Sequence, residues 1–200
     1  AIKTITIDFG TGCTGADGRV RSGKLIYTYS LSTNNAVFYR NPGFNLLMTP
    51  VNYVVDGYSV TNGSSHMVTN TTPTSIPTGT NPGTNLSWSV SATFTITKPN
   101  GSNFTWACTR TKVLTNTSDP VCYHGQSTAI SWDKAIVRIS GSATGTNAAG
   151  EIFTNTLTEV VRDFNCNVGG RRPFISGTLD HKPGTKLNRH LDYGYPNNGA

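Results

Sequence analysis

Charged residues are scarce in this chain. Its 200 residues include 16 Lys and Arg and 10 Asp and Glu, so that charged residues make up 13% of the total, about half the usual share. Thr, Asn, Ser and Gly fill the difference. Thr favours strands, while Asn and Gly favour turns. This composition is unlike that of a cytosolic enzyme or a charged disordered tail, and it indicates an all-β extracellular protein.

Residues that could perform chemistry are also few. The four histidines, His66, His124, His181 and His190, are dispersed along the sequence. His181 and His190 could meet across a terminal hairpin, but no third metal ligand accompanies them. The chain carries neither a nucleophile elbow nor a pair of carboxylates placed for glycoside hydrolysis. We therefore expect no catalytic residues, no metal site and no cofactor.

Long hydrophobic runs are missing from the sequence. No window reaches the roughly 18 to 20 apolar residues that a membrane-spanning helix needs, and no window repeats with the 3.6-residue period of an amphipathic helix. The chain begins at Ala1 rather than Met. We expect a mature, secreted or cell-surface form, generated by removal of a signal segment, with no transmembrane segment.

The four cysteines form no CxxC pair, which argues against zinc and thioredoxin-like chemistry. An even number of cysteines in an extracellular chain indicates disulfides. We predict a Cys108–Cys122 disulfide, because the intervening segment can fold back as a loop. A Cys13–Cys166 disulfide then follows by elimination. The alternative is that the cysteines are free, buried thiols.

Segments in which apolar and polar residues alternate are abundant, beginning with the N-terminal hairpin. Ile5, Ile7 and Phe9 share one face of a predicted strand, and Leu25, Tyr27 and Tyr29 share one face of the next. The glycine-rich stretch between them is not a phosphate-binding loop, because a strand rather than a helix follows it.

The same alternation continues to the end of the chain. Leu86 to Lys98 and Phe104 to Leu114 are predicted as a hairpin around Asn100-Gly101, a strong turn signal. We predict a single domain over residues 1–200, an antiparallel β-sandwich of immunoglobulin-like character with very little helix. We expect residues 70–85 to form a surface loop or a seam between subdomains. The predicted core contains Trp88, Val90, Phe94, Ile96, Val137 and Ile139.

Several short sequence blocks are distributed over most of the chain: IDFGTGCT (7–14), DGR (17–19), RSGKLI (21–26), ITKPNG (96–101), FTW (104–106), TRT (109–111), ISGSATGTN (139–147), ISGT (175–178) and LDYG (191–194). In sequence and in order, these blocks resemble a family of Bacteroidota cell-surface lipoproteins that has no assigned activity. The resemblance implies a bacterial surface protein with a lipid-bearing cysteine upstream of Ala1. It implies no catalytic motif.

The formal net charge of +6 is compatible with nucleic acid, an anionic membrane or an acidic polysaccharide as a partner. Because the basic residues are scattered and no recognition helix or RNA-binding motif accompanies them, we predict no nucleic-acid binding. A polysaccharide partner remains the alternative, since aromatic rings stack on sugar faces. The candidate stacking residues are Trp88, Trp106 and Trp132, although a place in the core explains them more simply.

Leu191-Asp192-Tyr193-Gly194 echoes Ile7-Asp8-Phe9-Gly10. In the resembling family, the block that corresponds to Leu191-Asp192-Tyr193-Gly194 is followed by a cysteine and a closing strand. We expect a sandwich that lacks this closing strand to present an open edge. A strand from a neighbouring molecule could cover such an edge. The candidate donor residues are Ile2, Thr4, Ile5, Ile7 and Phe9. Because donor and acceptor differ, the contact would be heterologous and would build a filament. The favoured function is thus a non-enzymatic structural or adhesive protein that self-associates, and the alternative is a carbohydrate-binding module.

Overall fold

The structure is a computed structural model that describes residues 2–30, 39–72, 86–115, 132–147, 149–166 and 173–194. Within these ranges, the only helix is the single 3-10 turn Trp132–Lys134. The strands are β1 (Ile2–Asp8), β2 (Cys13–Thr14), β3 (Val20–Ser30), β4 (Asn45–Val55), β5 (Tyr58–Asn70), β6 (Ser87–Thr97), β7 (Asn103–Leu114), β8 (Ile136–Thr146), β9 (Ile152–Asp163), β10 (Phe174–Lys182) and β11 (Arg189–Asp192).

All eleven strands belong to one sheet, in the order β1-β3-β4-β5-β6-β7-β8-β9-β10-β11, with β2 paired to β3 at one side. Every pairing is antiparallel. The all-β, antiparallel prediction is confirmed, and the structure is consistent with the sandwich class. The immunoglobulin-like arrangement is not confirmed, because neighbours in the described sheet are consecutive in sequence and no Greek-key crossover links them.

The predicted N-terminal hairpin is present, and the predicted apolar faces of its two strands lie on the same side of the sheet. Ile5 lies opposite Tyr27 and Ile7 opposite Leu25. The turn at Asp56-Gly57 is a tight hairpin of the primed type, since both residues have positive φ angles, 50° and 81°. The Asp56 carboxylate also accepts a hydrogen bond from the Val20 amide at 2.9 Å, which ties this turn to the start of β3.

Each face of the sheet has its own chemistry. On the inner face, one cross-strand row contains Leu46, Val68, Val90, Arg110, Gly141, Leu157 and Leu179. The neighbouring row on the outer face contains Leu47, Met67, Ser91, Thr109, Ser142, Thr156 and Asp180. The hydroxyl-rich strands β6 to β8 therefore turn their Ser and Thr residues away from the core, as period-two alternation requires.

The core lies on the inner face and has Trp88 at its centre, 1% exposed. Its ring stacks on Tyr39 with centroids 5.0 Å apart, and its Nε1 donates to the Tyr39 carbonyl at 2.9 Å. The buried Asn70 amide donates to the same carbonyl at 3.1 Å. Of the predicted core residues, Trp88, Val90, Val137 and Ile139 are buried, whereas Phe94 and Ile96, nearer the end of β6, are only partly buried.

At two bends in the sheet, a glycine lies beside a residue of the adjacent strand whose backbone adopts the left-handed conformation. Gly23 and Asn52 have φ angles of 76° and 47°, and Gly177 and Glu159 have 87° and 50°. A Cβ atom on Gly23 would lie 2.1 Å from the Asn52 carbonyl oxygen, and one on Gly177 would lie 2.4 Å from that of Glu159. Only glycine fits at these two positions. Both positions coincide with register shifts, which bend a strand and increase its twist.

Replacing Trp88 with Ala should lower the free energy of unfolding by about 3 to 5 kcal/mol, because the change removes a fully buried ring and leaves a cavity. Urea unfolding followed by circular dichroism measures this loss. The matched control is Ser91→Ala on the outer face of the same strand, which should change stability by less than about 0.5 kcal/mol. Equal effects of the two changes would contradict the placement of the core.

Candidate functional site

The strand β1 lies at one edge of the described sheet. All seven of its residues are exposed, and one of its sides pairs with β3 along its whole length. Its other side has no strand partner among the residues described above. Three apolar side chains contribute to this exposure, with Ile2, Ile5 and Ile7 at 76%, 53% and 42%. An exposed edge strand that carries apolar side chains is a template for pairing with another strand.

The direction of each β1 amide follows from one hydrogen bond. The Phe9 amide donates to the Gly23 carbonyl at 2.9 Å, and in an antiparallel pair inward and outward amides alternate. The odd-numbered residues of β1 therefore point their amides toward β3. The amides of Ile2, Thr4, Thr6 and Asp8 point away from it and are available to a further strand.

The opposite edge of the described sheet is β11, which is also exposed throughout. Here the Tyr193 amide donates to the Gly177 carbonyl at 2.9 Å, so the amides of His190 and Asp192 point outward by the same alternation. Leu191 lies on the inner face beside Leu179 and is 42% exposed. The two edges are thus alike. On each, the residues whose amides point away from the sheet have their side chains on the outer face, and apolar side chains lie between them on the inner face.

The residues proposed as a donor strand all lie on or next to β1. Ile2, Thr4, Ile5 and Ile7 pair with β3 of their own chain, and Phe9 packs against Tyr53 with ring centroids 5.7 Å apart. In the structure β1 is an integral strand of its own sheet and not a free arm. Donating it to another molecule would break seven cross-strand pairs, whereas pairing through its outer side breaks none.

The three tryptophans do not form a common exposed platform in the described structure. Trp88 is a core residue. Trp106 is partly buried, stacks on Phe94 with centroids 6.0 Å apart, and carries the Arg110 guanidinium 5.6 Å from its ring centroid. Trp132 begins the 3-10 helix, and its side chain lies outside the described part of the structure.

The disulfide predictions are not supported, because Cys13, Cys108 and Cys166 are all free thiols in the structure. Cys13 lies on β2 beside β3, and Cys166 follows β9, so that six strands, β3 to β8, lie between them in the sheet. Cys108 packs with Ala92 and Ala143 in a small cluster on the inner face. Its proposed partner, Cys122, lies outside the described residues. The elimination that paired Cys13 with Cys166 took no account of the strand order, which places them far apart in the sheet.

The histidines of the last hairpin point to opposite faces. His181 lies beside Asn155 on the inner side, while the His190 ring contacts the Asp180 carboxylate at 2.7 Å on the outer side. No group of three metal-ligating side chains occurs among the described residues. Asp8 and Glu159 contact cations at 2.8 and 2.9 Å, and the pKa of Asp8 is lowered, mainly by its hydrogen bond with Lys24.

A cationic cluster on the inner face was not recognised from the sequence as a site. It consists of Arg110 and Lys112 on β7 and Arg162 on β9. The alternation of β7 does place Arg110 and Lys112 on the same side as the buried Cys108, and that parity was the available signal. Lys112 lies opposite the core residue Trp88, so these cations belong to the covered face rather than to a solvated one.

Comparisons of this chain with protein-family models, with curated proteins and with solved structures gave no match. In the described part of the chain, no helix has the length and apolar character needed to cross a membrane.

Thiol labelling should distinguish the cysteines. Burial raises the pKa of the Cys108 thiol, and the thiolate is the reactive form, so Cys108 in the folded protein should react with iodoacetamide far more slowly than the exposed Cys13. Peptide mapping by mass spectrometry after timed labelling measures both rates, and the urea-unfolded chain, in which they should be similar, is the control. Similar rates in the folded protein, or labelling that requires prior reduction, would show the thiol assignments to be wrong.

Proposed function

We propose that this chain is a non-enzymatic structural or adhesive module of a bacterial cell surface that self-associates by joining its sheet edges. The observation that carries the proposal is the open, apolar edge at β1. Low charge, abundant Thr and the resemblance to surface lipoproteins support a surface location. The join differs from strand exchange, since β1 stays in its own sheet and extends that of a neighbour.

The strand count favours a head-to-tail join. Ten strands follow one another in the path from β1 to β11, and each pairs antiparallel with the next. With an even number of strands, β1 and β11 run in opposite directions. A second copy can therefore place its β1 beside β11 of the first and continue the antiparallel pattern without a break.

The hydrogen-bonding pattern of the two edges is also compatible. The outward amides lie at Thr4 and Thr6 on one edge and at His190 and Asp192 on the other. Pairing these residues with each other places Ile5 and Leu191 on the same, inner, face, where their exposed side chains can pack together. Because the two edges differ, the contact is heterologous, and repeated contacts produce a filament.

The alternative function, a carbohydrate-binding module, has less support. Its proposed stacking residue Trp88 is buried, and both Phe94 and Arg110 lie against Trp106. A broad sugar platform on these rings would require the inner face to be uncovered.

Proline substitutions at outward positions test the edge join. Thr6→Pro removes an amide that points away from β3, and His190→Pro removes one that points away from β10. Edge strands tolerate proline at such positions. We expect the parent protein to form assemblies that grow with concentration, measured by light scattering and electron microscopy, and each variant to be unable to extend at one edge.

Mixing the two variants provides the decisive measurement. The intact β1 of His190→Pro can pair with the intact β11 of Thr6→Pro, so an equimolar mixture should yield dimers and stop there. Thr6→Val, which retains the amide, is the matched control and should assemble as the parent does. A parent that stays monomeric at all concentrations would refute the proposal, and a closed dimer unaffected by His190→Pro would refute its head-to-tail form.

A further inference from the structure

The cationic cluster defined above sits at the centre of the sheet. Arg110 and Lys112 are two residues apart on β7 and share the inner face. Lys112 lies opposite Trp88 on one side and Ile139 on the other. Arg162 lies on β9 opposite Val137, in the neighbouring cross-strand row. The three cations therefore occupy neighbouring positions on the inner face of the sheet, among core side chains.

None of these cations has an acidic partner in the described structure. The ion pairs found there involve Arg21, Lys24, Arg138 and His190 instead. The Nε atoms of Arg110 and Arg162 are buried and have no hydrogen-bond partner. Each of these two guanidinium groups lies over an aromatic ring, Arg162 being 4.6 Å from the centroid of Phe174 and Arg110 5.6 Å from that of Trp106.

This arrangement is electrostatically unfavourable without a counter-charge. Removing a cation from water is costly unless a counter-charge accompanies it, and cations placed close together repel one another. Both effects act on Lys112, whose pKa is lowered first by burial and then by the charges of Arg110 and Arg162. A bound anion would offset both costs.

The cluster opens into a cavity of about 400 Å³ that is lined by Tyr39, Trp88, Lys112, Val137, Ile139, Arg162 and Phe164. Aromatic and branched side chains form most of this lining, and Lys112 and Arg162 are its charged members. Arg110 lines an adjoining cavity of about 190 Å³. Small-molecule sites in proteins commonly combine an apolar wall with a few convergent polar groups, as this cavity does.

We propose that this cavity binds an organic anion that has an apolar body and a single carboxylate, sulfate or phosphate head group. The body packs against Tyr39, Val137 and Phe164, and the head group is held between Lys112 and Arg162. The guanidinium can use two parallel N–H donors toward such a group, and the ring beneath it fixes its plane. Arg110 contributes positive charge from the adjoining cavity. The binding site is separate from the sheet edges.

Calorimetric titration of the full chain with naphthalene-2-sulfonate, 2-naphthoate and 2-naphthyl phosphate compares the three head groups on one apolar body. The neutral 2-naphthol and inorganic sulfate test the body and the charge separately. We expect at least one of the naphthyl anions to bind, and both 2-naphthol and sulfate to bind about tenfold more weakly or worse, because each lacks half of the required chemistry. The rank order of the anions identifies the preferred head group.

Lys112→Met keeps the size of the side chain, Arg162→Gln leaves a shorter polar side chain, and each removes one charge. Each should weaken binding of the preferred anion by about tenfold or more. The matched control is Arg138→Gln on the outer face, where Arg138 pairs with Glu159 at 2.9 Å, and it should bind as the parent does. Unchanged binding in both cluster variants, or equal binding of 2-naphthol and the naphthyl anions, would overturn the proposal.

Thermal unfolding provides a second measurement that does not depend on calorimetric heats. Without ligand, Lys112→Met should unfold at the same temperature as the parent or a higher one, since it removes an unpaired, partly buried charge. The preferred anion should raise the unfolding temperature of the parent and of Arg138→Gln, but not that of Lys112→Met. An equal rise in all three proteins would show that the anion acts elsewhere.

Discussion

The stack of Tyr39 on Trp88 is the contact on which the covered face of the sheet depends. Trp88 sits on β6, in the middle of the strand order, and Tyr39 comes from the segment before β4. The Tyr39 carbonyl accepts hydrogen bonds from both Trp88 and Asn70. One residue outside the strands thus satisfies two buried donors and covers the largest buried ring. Without it, polar atoms and apolar surface on β5 and β6 would be exposed together.

The same covered face explains why a cationic cluster and an apolar core can coexist. The long side chains of Arg110 and Lys112 can pack their apolar stems beside the core while their charged ends reach the cavities. Arg162 lies on Phe174 in a comparable way. The outer face needs no such arrangement, because its Ser and Thr hydroxyls find partners in neighbouring strands or in water, as Thr105 and Thr146 do at 2.9 Å.

Sequence reasoning succeeded where the controlling interactions are local. Alternation predicted the two strands of the N-terminal hairpin and the residues that share a face on each, and turn chemistry predicted the hairpin at Asn100-Gly101. It failed where the outcome depends on which strands become neighbours. The sequence shows neither the distance between Cys13 and Cys166 across the sheet nor the partial burial of Lys112 beside Trp88. Alternation groups residues by face, but it does not say which of the two faces will be covered.

The consecutive order of the strands has a consequence for how the chain reaches its fold. Each strand after β3 pairs with the one immediately before it, so most pairings close short loops, and such local contacts are associated with fast folding. A chain that becomes available from its N-terminus can add each strand to a partner already in place. At every stage, the next strand then pairs with the last strand already in the sheet. No segment that is distant in sequence has to fold before the next hairpin can form.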